Sequence, residues 1–206
     1  DLEAQKEKLQ NYEELIGNYH KKSLEIKESF IKYAQKTGEY LEEIKPIIKE
    51  KQEFFRKLAK RFYPNNASGI TVYNNEGENQ QRYTIEAKIE SDNSDGINNV
   101  KIFCYDMTML FKGYGHNIKF SFHDSRLFDG IDEKHKAEIF KVVNELFNGT
   151  DYQYIATVNQ NQLNEVKSIL TEQEYEEIIE QNTILTLTDE DDSEKLLGVK
   201  VDVGYE

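Results

Sequence analysis

The chain lacks the residues and runs that mark secreted, membrane and metal-cluster proteins. Its 206 residues include one cysteine, two prolines and no tryptophan. A single cysteine, Cys104, excludes a disulfide framework and a Cys/His metal cluster. No apolar run approaches the roughly 20 residues that a membrane span requires, and the first residues do not form a signal peptide. We therefore expect a soluble, cytoplasmic protein with no membrane partner.

Two further absences concern nucleotide and nucleic-acid binding. The phosphate-binding sequence G-x-x-x-x-G-K-[ST] does not occur in these residues. Positive charge is also scarce, since 26 Lys and Arg stand against 39 Asp and Glu, for a net charge of −13. Binding along a nucleic-acid backbone needs clustered Lys and Arg, so this chain is not expected to carry a broad nucleic-acid surface.

Residues 1–63 carry a heptad pattern. Its two rows are apolar or aromatic at eleven of fourteen positions. The rows consist of Leu2, Leu9, Ile16, Ser23, Phe30, Thr37 and Ile44, and of Gln5, Tyr12, Tyr19, Ile26, Tyr33, Tyr40 and Ile47. The pattern predicts a long coiled-coil helix, with a stutter and kink near Pro46, where the phase changes. The alternative is two ordinary helices folded back as a bundle, with breaks at Gly17 and Gly38. Because the chain opens at Asp1 inside this pattern, we expect it to be part of a longer protein.

Residues 64–206 alternate between strand and helix patterns and are predicted to form a second domain. Residues 70–73 and 82–89, on either side of a turn-rich segment, predict a hairpin. Helices are predicted at residues 98–112, 133–147, 163–169 and 171–180, buried strands at 118–122 and 152–158, and closing strands at 183–187 and 197–203. Helices that alternate with buried strands predict an α/β fold whose sheet is largely parallel, with the hairpin as an antiparallel addition.

Asp124 and Asp132 flank the loop between a predicted strand and a predicted helix. Ligands bind at the carboxyl ends of strands in open α/β sheets, and carboxylates there suit a metal–phosphate site. The alternative is an acidic connection in which Asp132 is only a helix N-cap. His123 adjoins Asp124 and is the one histidine with a candidate site role. A Ser-His-Asp hydrolase is disfavoured, because neighbouring strand residues point to opposite faces.

Three polar segments follow the coiled coil in a fixed order. Ser94-Asp-Gly96 opens a helix, His123-Asp124-Ser125 ends one strand, and Asn159 ends the next. This order resembles the C-terminal half of the ATPase head in SMC-, RecF- and RecN-type ABC ATPases, over most of residues 48–206. The stretches Phe122-His-Asp-Ser, Phe128-Asp-Gly-Ile-Asp132 and Leu196-Leu-Gly198 are similar to those of a bacterial YydD-like family of SMC-like proteins.

The resemblance implies a role for each segment. Asp124 corresponds to the Walker B aspartate, which holds the Mg²⁺ of the nucleotide through water. Ser94 and Gly96 correspond to the ABC signature, which contacts the γ-phosphate of ATP held by a second head. Asp132 lies near the D-loop aspartate at the interface between heads, and Asn159 stands where a switch histidine is usual.

The chain departs from the pattern of these enzymes at the catalytic position. Ser125 stands where the glutamate that positions the attacking water is expected, and a serine cannot act as a carboxylate base. His123, Asp129 and Asp132 are candidates to replace it. Asn159 can donate a hydrogen bond to a phosphate but cannot titrate as a histidine does.

The resemblance implies that ATP and Mg²⁺ are cofactors of the full-length protein rather than of this chain alone. The implied partners are the N-terminal lobe of the same protein, a second head in a homodimer, and DNA through the full assembly, in DNA maintenance or in defence against foreign DNA. Without a Walker A loop the chain is half of a head and is expected to be inactive alone. The alternatives are a non-hydrolysing nucleotide switch or dimerisation module, and a purely structural coiled-coil scaffold.

Overall fold

The computed structural model of the chain describes residues 2–75, 81–188, 190–196 and 198. In this part the helices are α1 Leu2–Glu43, α2 Lys45–Phe62, α3 Asp95–Lys112, α4 Glu133–Phe147, α5 Gln160–Ile169 and α6 Glu172–Ile178. The strands are β1 Ser68–Asn74, β2 Tyr83–Ile89, β3 Phe120–His123 and β4 Gln153–Ala156. Contacts divide the chain into two compact units, Asp1–Ile118 and Lys119–Glu206.

The predicted long helix consists of α1 and α2, which meet at Ile44. Gly17 and Gly38 lie inside α1, so the helix does not break at either glycine. Pro46 lies in the first turn of α2, where a fixed φ and a missing amide are tolerated. α2 belongs to the same compact unit as the hairpin and α3. The division of the chain into two domains at residue 63 stays a prediction.

The hairpin covers one side of the C-terminal part of α1. The Asn74 side-chain amide donates to the Ala34 carbonyl oxygen at 2.8 Å. The Arg82 guanidinium lies 4.9 Å from the ring centroid of Phe30 and 5.1 Å from that of Tyr33. The large apolar side chains of α1 upstream of Phe30 are exposed, and Ile31, Tyr33 and Tyr40 are exposed as well.

The core of the first unit lies between α2, the hairpin and α3. Phe55, Phe103 and Met107 are fully buried, and the rings of Phe62 and Phe103 meet edge to face at 6.0 Å. β1 and β2 pair antiparallel, as predicted, with Ile70 opposite Ala87. These contacts make the hairpin and its two supporting helices one packed body.

The second unit places α4, α5 and α6 beside a pair of parallel strands. β3 pairs with β4 in register, with Phe122 opposite Ile155. The rings of Phe128 and Phe140 stack at 5.3 Å in the core. α4 begins and ends at the predicted residues.

The structure is a mixed fold of helices and strands, but its sheets are smaller than predicted. In the described ranges each sheet has two strands, so parallel pairing is limited to β3 and β4. The strand predicted at residues 183–187 is wrong, because that segment is exposed and has no regular secondary structure. Of the strand predicted at 197–203, all but Gly198 lies outside the described residues.

The prediction that residues 118–122 form a buried strand is wrong for the phenylalanines of β3. Phe120 and Phe122 are 55% and 53% exposed, whereas His123 is 7% exposed. Side chains alternate along a strand, so the side that includes His123 faces the unit and the side of the two phenylalanines does not. Sequence alternation identified the strand but could not show which face is covered.

No helix in the described part of the chain is both long enough and apolar enough to cross a bilayer.

Candidate functional site

Asp124 directly follows β3 and is exposed. Its Oδ1 accepts a hydrogen bond of 2.7 Å from the Arg126 amide, which makes it the N-cap of the 3-10 turn Ser125–Phe128. A carboxylate has about four lone-pair sites, so one hydrogen bond leaves capacity to accept from metal-bound water. The position at the carboxyl end of a parallel strand is the one predicted for a metal–phosphate ligand.

The segments that follow β3 and β4 are held together by two hydrogen bonds at Thr157, one to its backbone and one to its side chain. The Thr157 amide donates to the His123 carbonyl oxygen at 3.1 Å. In return, the Ser125 amide donates to Thr157 Oγ1 at 3.2 Å. The residues around Thr157 do not indicate a hydrogen-bond partner 32 residues away, so the sequence does not identify Thr157 as part of this region.

Asn159 is the N-cap residue of α5 and is linked to the loop after β3 through Gln162. The Gln162 side chain accepts from the Asn159 amide at 3.1 Å and donates to the Ser125 carbonyl oxygen at 3.1 Å. The structure therefore brings the region of Ser125 and the start of α5 together at one edge of the sheet.

His123 points into the second unit. Its Nδ1 lies 2.9 Å from the Tyr154 hydroxyl, and the two rings meet edge to face at 5.4 Å. A buried imidazole that is hydrogen-bonded to a tyrosine hydroxyl can serve as a packed residue of the core. A role for His123 as a catalytic base stays a prediction.

Asp132 is the N-cap of α4, as the alternative interpretation holds. Its Oδ1 accepts from the amides of Lys134 and His135, both at 3.0 Å, and its Oδ2 faces the His135 ring. Partial burial raises the pKa of Asp132, but the His135 amide and ring together with the Lys134 amide hold it below its ordinary value. Capping explains the position of this carboxylate without a ligand.

Ser94 and Gly96 lie in the first unit, at the start of α3. Ser94 is the N-cap residue, and its hydroxyl makes no capping hydrogen bond to the helix. The preceding turn includes Ser91, whose φ is +68°. Asp92 in the same turn accepts from Lys101 Nζ at 2.8 Å, and this hydrogen bond lowers the pKa of Asp92. The turn before α3 is thus joined to the helix by the bond between Asp92 and Lys101.

The described residues contain no group of three or more His, Cys, Asp or Glu side chains arranged to hold a metal ion. Mg²⁺ keeps several waters and usually binds one or two carboxylates together with substrate phosphates. The single exposed carboxylate of Asp124 therefore fits a nucleotide-borne Mg²⁺, and it does not form a complete metal site alone.

One solved structure with detectable similarity comes from work described as "Structural biochemistry of ATP-driven dimerization and DNA stimulated activation of SMC ATPases". It is 13% identical in sequence, and the match covers 61% of this chain and 74% of that chain with a TM-score of 0.40. Similarity of this degree does not establish a shared fold. None of the curated proteins matches the chain.

A family model covers most of the chain. Residues 58–201 match the family described as "Uncharacterised protein conserved in bacteria (DUF2326)". The match takes in α3, both strands of the parallel pair, and the segments that carry Asp124 and Asn159. The chain therefore belongs to the bacterial DUF2326 family.

Proposed function

We propose that this chain is the C-terminal half of an SMC-like ABC ATPase head of the YydD-like kind, which binds ATP and Mg²⁺ together with a second head. One observation supports this most strongly. Asp124 and the start of α5 lie side by side at the carboxyl edge of the parallel pair β3–β4, joined through Ser125 and Thr157. That edge is where ligands bind in open α/β sheets.

The residues of this chain have separate tasks in the proposed site. Asp124 accepts hydrogen bonds from water bound to Mg²⁺, which in turn neutralises phosphate charge. Asn159 donates an amide hydrogen bond to a phosphate. Ser94 and Gly96 present the N-terminus of α3 to the nucleotide of the second head, since helix N-termini attract anions. Asp132, at the start of α4, belongs to the surface between the two heads.

The proposed partner that completes the site is the N-terminal lobe of the same protein. Parallel sheets are normally covered on both faces, and isolated pairs of strands are marginally stable. Phe120 and Phe122 are nevertheless about half exposed, so this sheet has an apolar face available for further structure. The sequence also lacks a Walker A loop. A lobe that adds to the sheet and supplies that loop accounts for both observations.

DNA is proposed as a partner of the full assembly, in DNA maintenance or defence against foreign DNA. The net charge of −13 argues against a broad DNA-binding surface on this chain. The proposed contribution of the chain is head engagement, which moves or clamps the coiled coils.

The test is ATP turnover by the complete protein with Asp124→Asn. If Asp124 holds the Mg²⁺ water shell, turnover should fall by about 100-fold or more, because metal-ion stabilisation is worth several kcal/mol of the barrier. Asp151→Asn is the matched control, since Asp151 is an exposed aspartate of the same unit that pairs with Lys119 at 3.4 Å. An undiminished rate in Asp124→Asn would remove Asp124 from the site.

The identity of Ser125 favours a second candidate, a nucleotide switch that does not hydrolyse ATP. Its amide donates to Thr157 and its carbonyl accepts from Gln162, so the backbone at this position is fixed while the side chain lacks a carboxylate. If the head is such a switch, the unaltered complete protein should show no measurable turnover, Ser125→Glu should give measurable turnover, and Ser125→Ala should not. Rapid turnover of the unaltered protein that Ser125→Ala leaves unchanged would contradict the switch.

A further inference from the structure

Gln162 makes three side-chain hydrogen bonds that join two loops far apart in sequence. It is the third residue of α5 and is 7% exposed. Its Nε2 donates to the Ser125 carbonyl oxygen at 3.1 Å and to Asp129 Oδ1 at 3.0 Å. Its Oε1 accepts from the Asn159 amide at 3.1 Å.

The chemistry of these partners requires a glutamine amide. A carbonyl oxygen and a carboxylate oxygen both need donors, and an amide NH₂ supplies two. The backbone amide of Asn159 needs an acceptor, and Oε1 of the Gln162 side chain supplies it. A glutamate at this position could satisfy only Asn159, and an apolar residue could satisfy none of the three.

From these contacts we propose that Gln162 is a positioning residue that fixes the loop after β3 relative to the start of α5. This inference rests on the proposed function for its catalytic meaning, since the two segments carry Asp124 and Asn159. The 3-10 turn that Asp124 caps begins at Ser125, whose carbonyl Gln162 holds. A displaced turn therefore displaces the Asp124 carboxylate as well.

The effect on catalysis should appear in kcat rather than in KM. Gln162 touches no reacting atom in this arrangement, and most phosphate contacts would come from the N-terminal lobe. Substrate affinity would be kept, while the geometry of the metal-bound water would be lost, and a misplacement of about 1 Å can cost 100-fold in rate.

The experiment is hydrogen exchange at the Arg126, Leu127 and Asp129 amides, each of which is hydrogen-bonded within the loop. Gln162→Glu keeps the acceptor for Asn159 but places a carboxylate against Asp129. Exchange should accelerate at least about tenfold, the factor expected when one hydrogen bond to a charged group is lost. The Tyr175 amide, bonded to the Thr171 carbonyl oxygen, is the internal control and should not change.

A double variant exchanges donor and acceptor in the hydrogen bond between Gln162 and Asp129 and so tests that contact directly. In Gln162→Glu with Asp129→Asn, the new Asn amide can donate to the new carboxylate, so protection of the loop should return at least in part. Gln162→Met is a further variant, of similar length, that removes all three bonds without adding charge and should accelerate exchange as well.

The outcomes distinguish this inference from the proposed function. Unchanged exchange in both single variants would overturn the positioning role, whatever the complete protein does. Faster exchange with no loss of kcat in the complete protein would also overturn it, since the loop would then not control the site. Absence of ATP turnover in the unaltered complete protein would count against the proposed function, and the exchange experiment would still decide whether Gln162 fixes the loop.

Discussion

The two sheets of the molecule differ in how their apolar side chains are covered. In the antiparallel sheet, Ile70 and Ile89 are 4% and 1% exposed, although Tyr73 and Ile85, nearer its turn, are 44% and 54% exposed. In the parallel sheet, Phe120 and Phe122 are more than half exposed. Both sheets have two strands, so the number of strands does not explain the difference.

The antiparallel sheet is supported by helices of its own unit. Gln52 on α2 donates to the Ile70 carbonyl oxygen at 2.7 Å, and Asn74 at the end of β1 bonds to α1 at Ala34. In the parallel sheet the rings of His123 and Tyr154 meet on the buried side, whereas Phe120 and Phe122 on the other side stay about half exposed. A hairpin can be completed by neighbours in sequence, whereas parallel strands need crossover connections and cover on both faces. The comparison supports the proposal that the second sheet receives further structure from the N-terminal lobe.

The largest expected effect is a difference in the free energy of unfolding between two variants. One truncates a buried residue of the antiparallel sheet and the other an exposed residue of the parallel sheet. Ile89→Ala should destabilise the first unit by about 2–5 kcal/mol, because it leaves a cavity in a packed core. Phe122→Ala should cost only about 1 kcal/mol, since about half of its side chain is already in contact with water. Denaturant unfolding of the two variants measures both values, and equal losses would show that the two faces do not differ.

The sequence predicted local elements better than their surroundings. α4 was predicted to the residue because Asp132 caps it and its apolar residues recur with helical spacing. The Thr171 and Glu174 capping box of α6 was likewise readable from the sequence. Both features involve residues three or four apart, which a sequence displays directly.

Features that depend on distant partners were missed. The bonds of Gln162 to Ser125 and Asp129 cross 37 and 33 residues, and no local pattern indicates them. The strand expected at residues 183–187 had suitable residues but pairs with no strand in the described structure. The heptad rows of α1 were visible, but the sequence could not show that the hairpin covers one side from Phe30 onward. The assignment of Asp124 to Mg²⁺ rests on resemblance and stays a prediction.

The next effect concerns the contact between α2 and the first sheet. Gln52→Met removes the donor to the Ile70 carbonyl oxygen and should cost about 1 kcal/mol, the usual net value of such a bond. Faster hydrogen exchange in β1 and β2 is the readout. Gln10→Met, at an exposed position of α1, is the control, and equal exchange in the two variants would show that the bond adds nothing to the sheet.

A pH dependence is expected in the second unit, where α4 and α6 are joined by Lys141 and Glu174. The hydrogen bond from Lys141, followed by one from the Thr171 amide, lowers the pKa of Glu174 to about 2 from an ordinary value of 4.5. A lowered pKa stabilises the fold above pH 4.5, and this contribution is lost as pH falls toward 2. Glu174→Gln should flatten part of the acid limb of a melting-temperature profile, and the exposed Glu176→Gln should not. Identical profiles for the two variants would contradict this assignment.

The smallest effect on stability is expected for removal of residues 2–29. The hairpin contacts α1 from Phe30 onward, so both compact units should melt as before. Self-association should fall, because exposed residues of the heptad rows such as Leu9 and Ile16 are lost. Full burial of each such side chain between two chains would stabilise the dimer by roughly 1.5–3 kcal/mol. Sedimentation velocity compares the two chains. A monomeric intact chain at high micromolar concentration would contradict pairing through this segment.

The most direct test of the central claim is calorimetric titration of ATP–Mg²⁺ into this chain and into the complete protein. A half-site that lacks its phosphate-binding loop should show no saturable binding to the chain up to about 1 mM, whereas the complete protein should bind with a Kd in the micromolar range, about 4 kcal/mol tighter or more. Micromolar binding to the isolated chain, or none to the complete protein, would contradict the claim that this chain supplies one half of a nucleotide site.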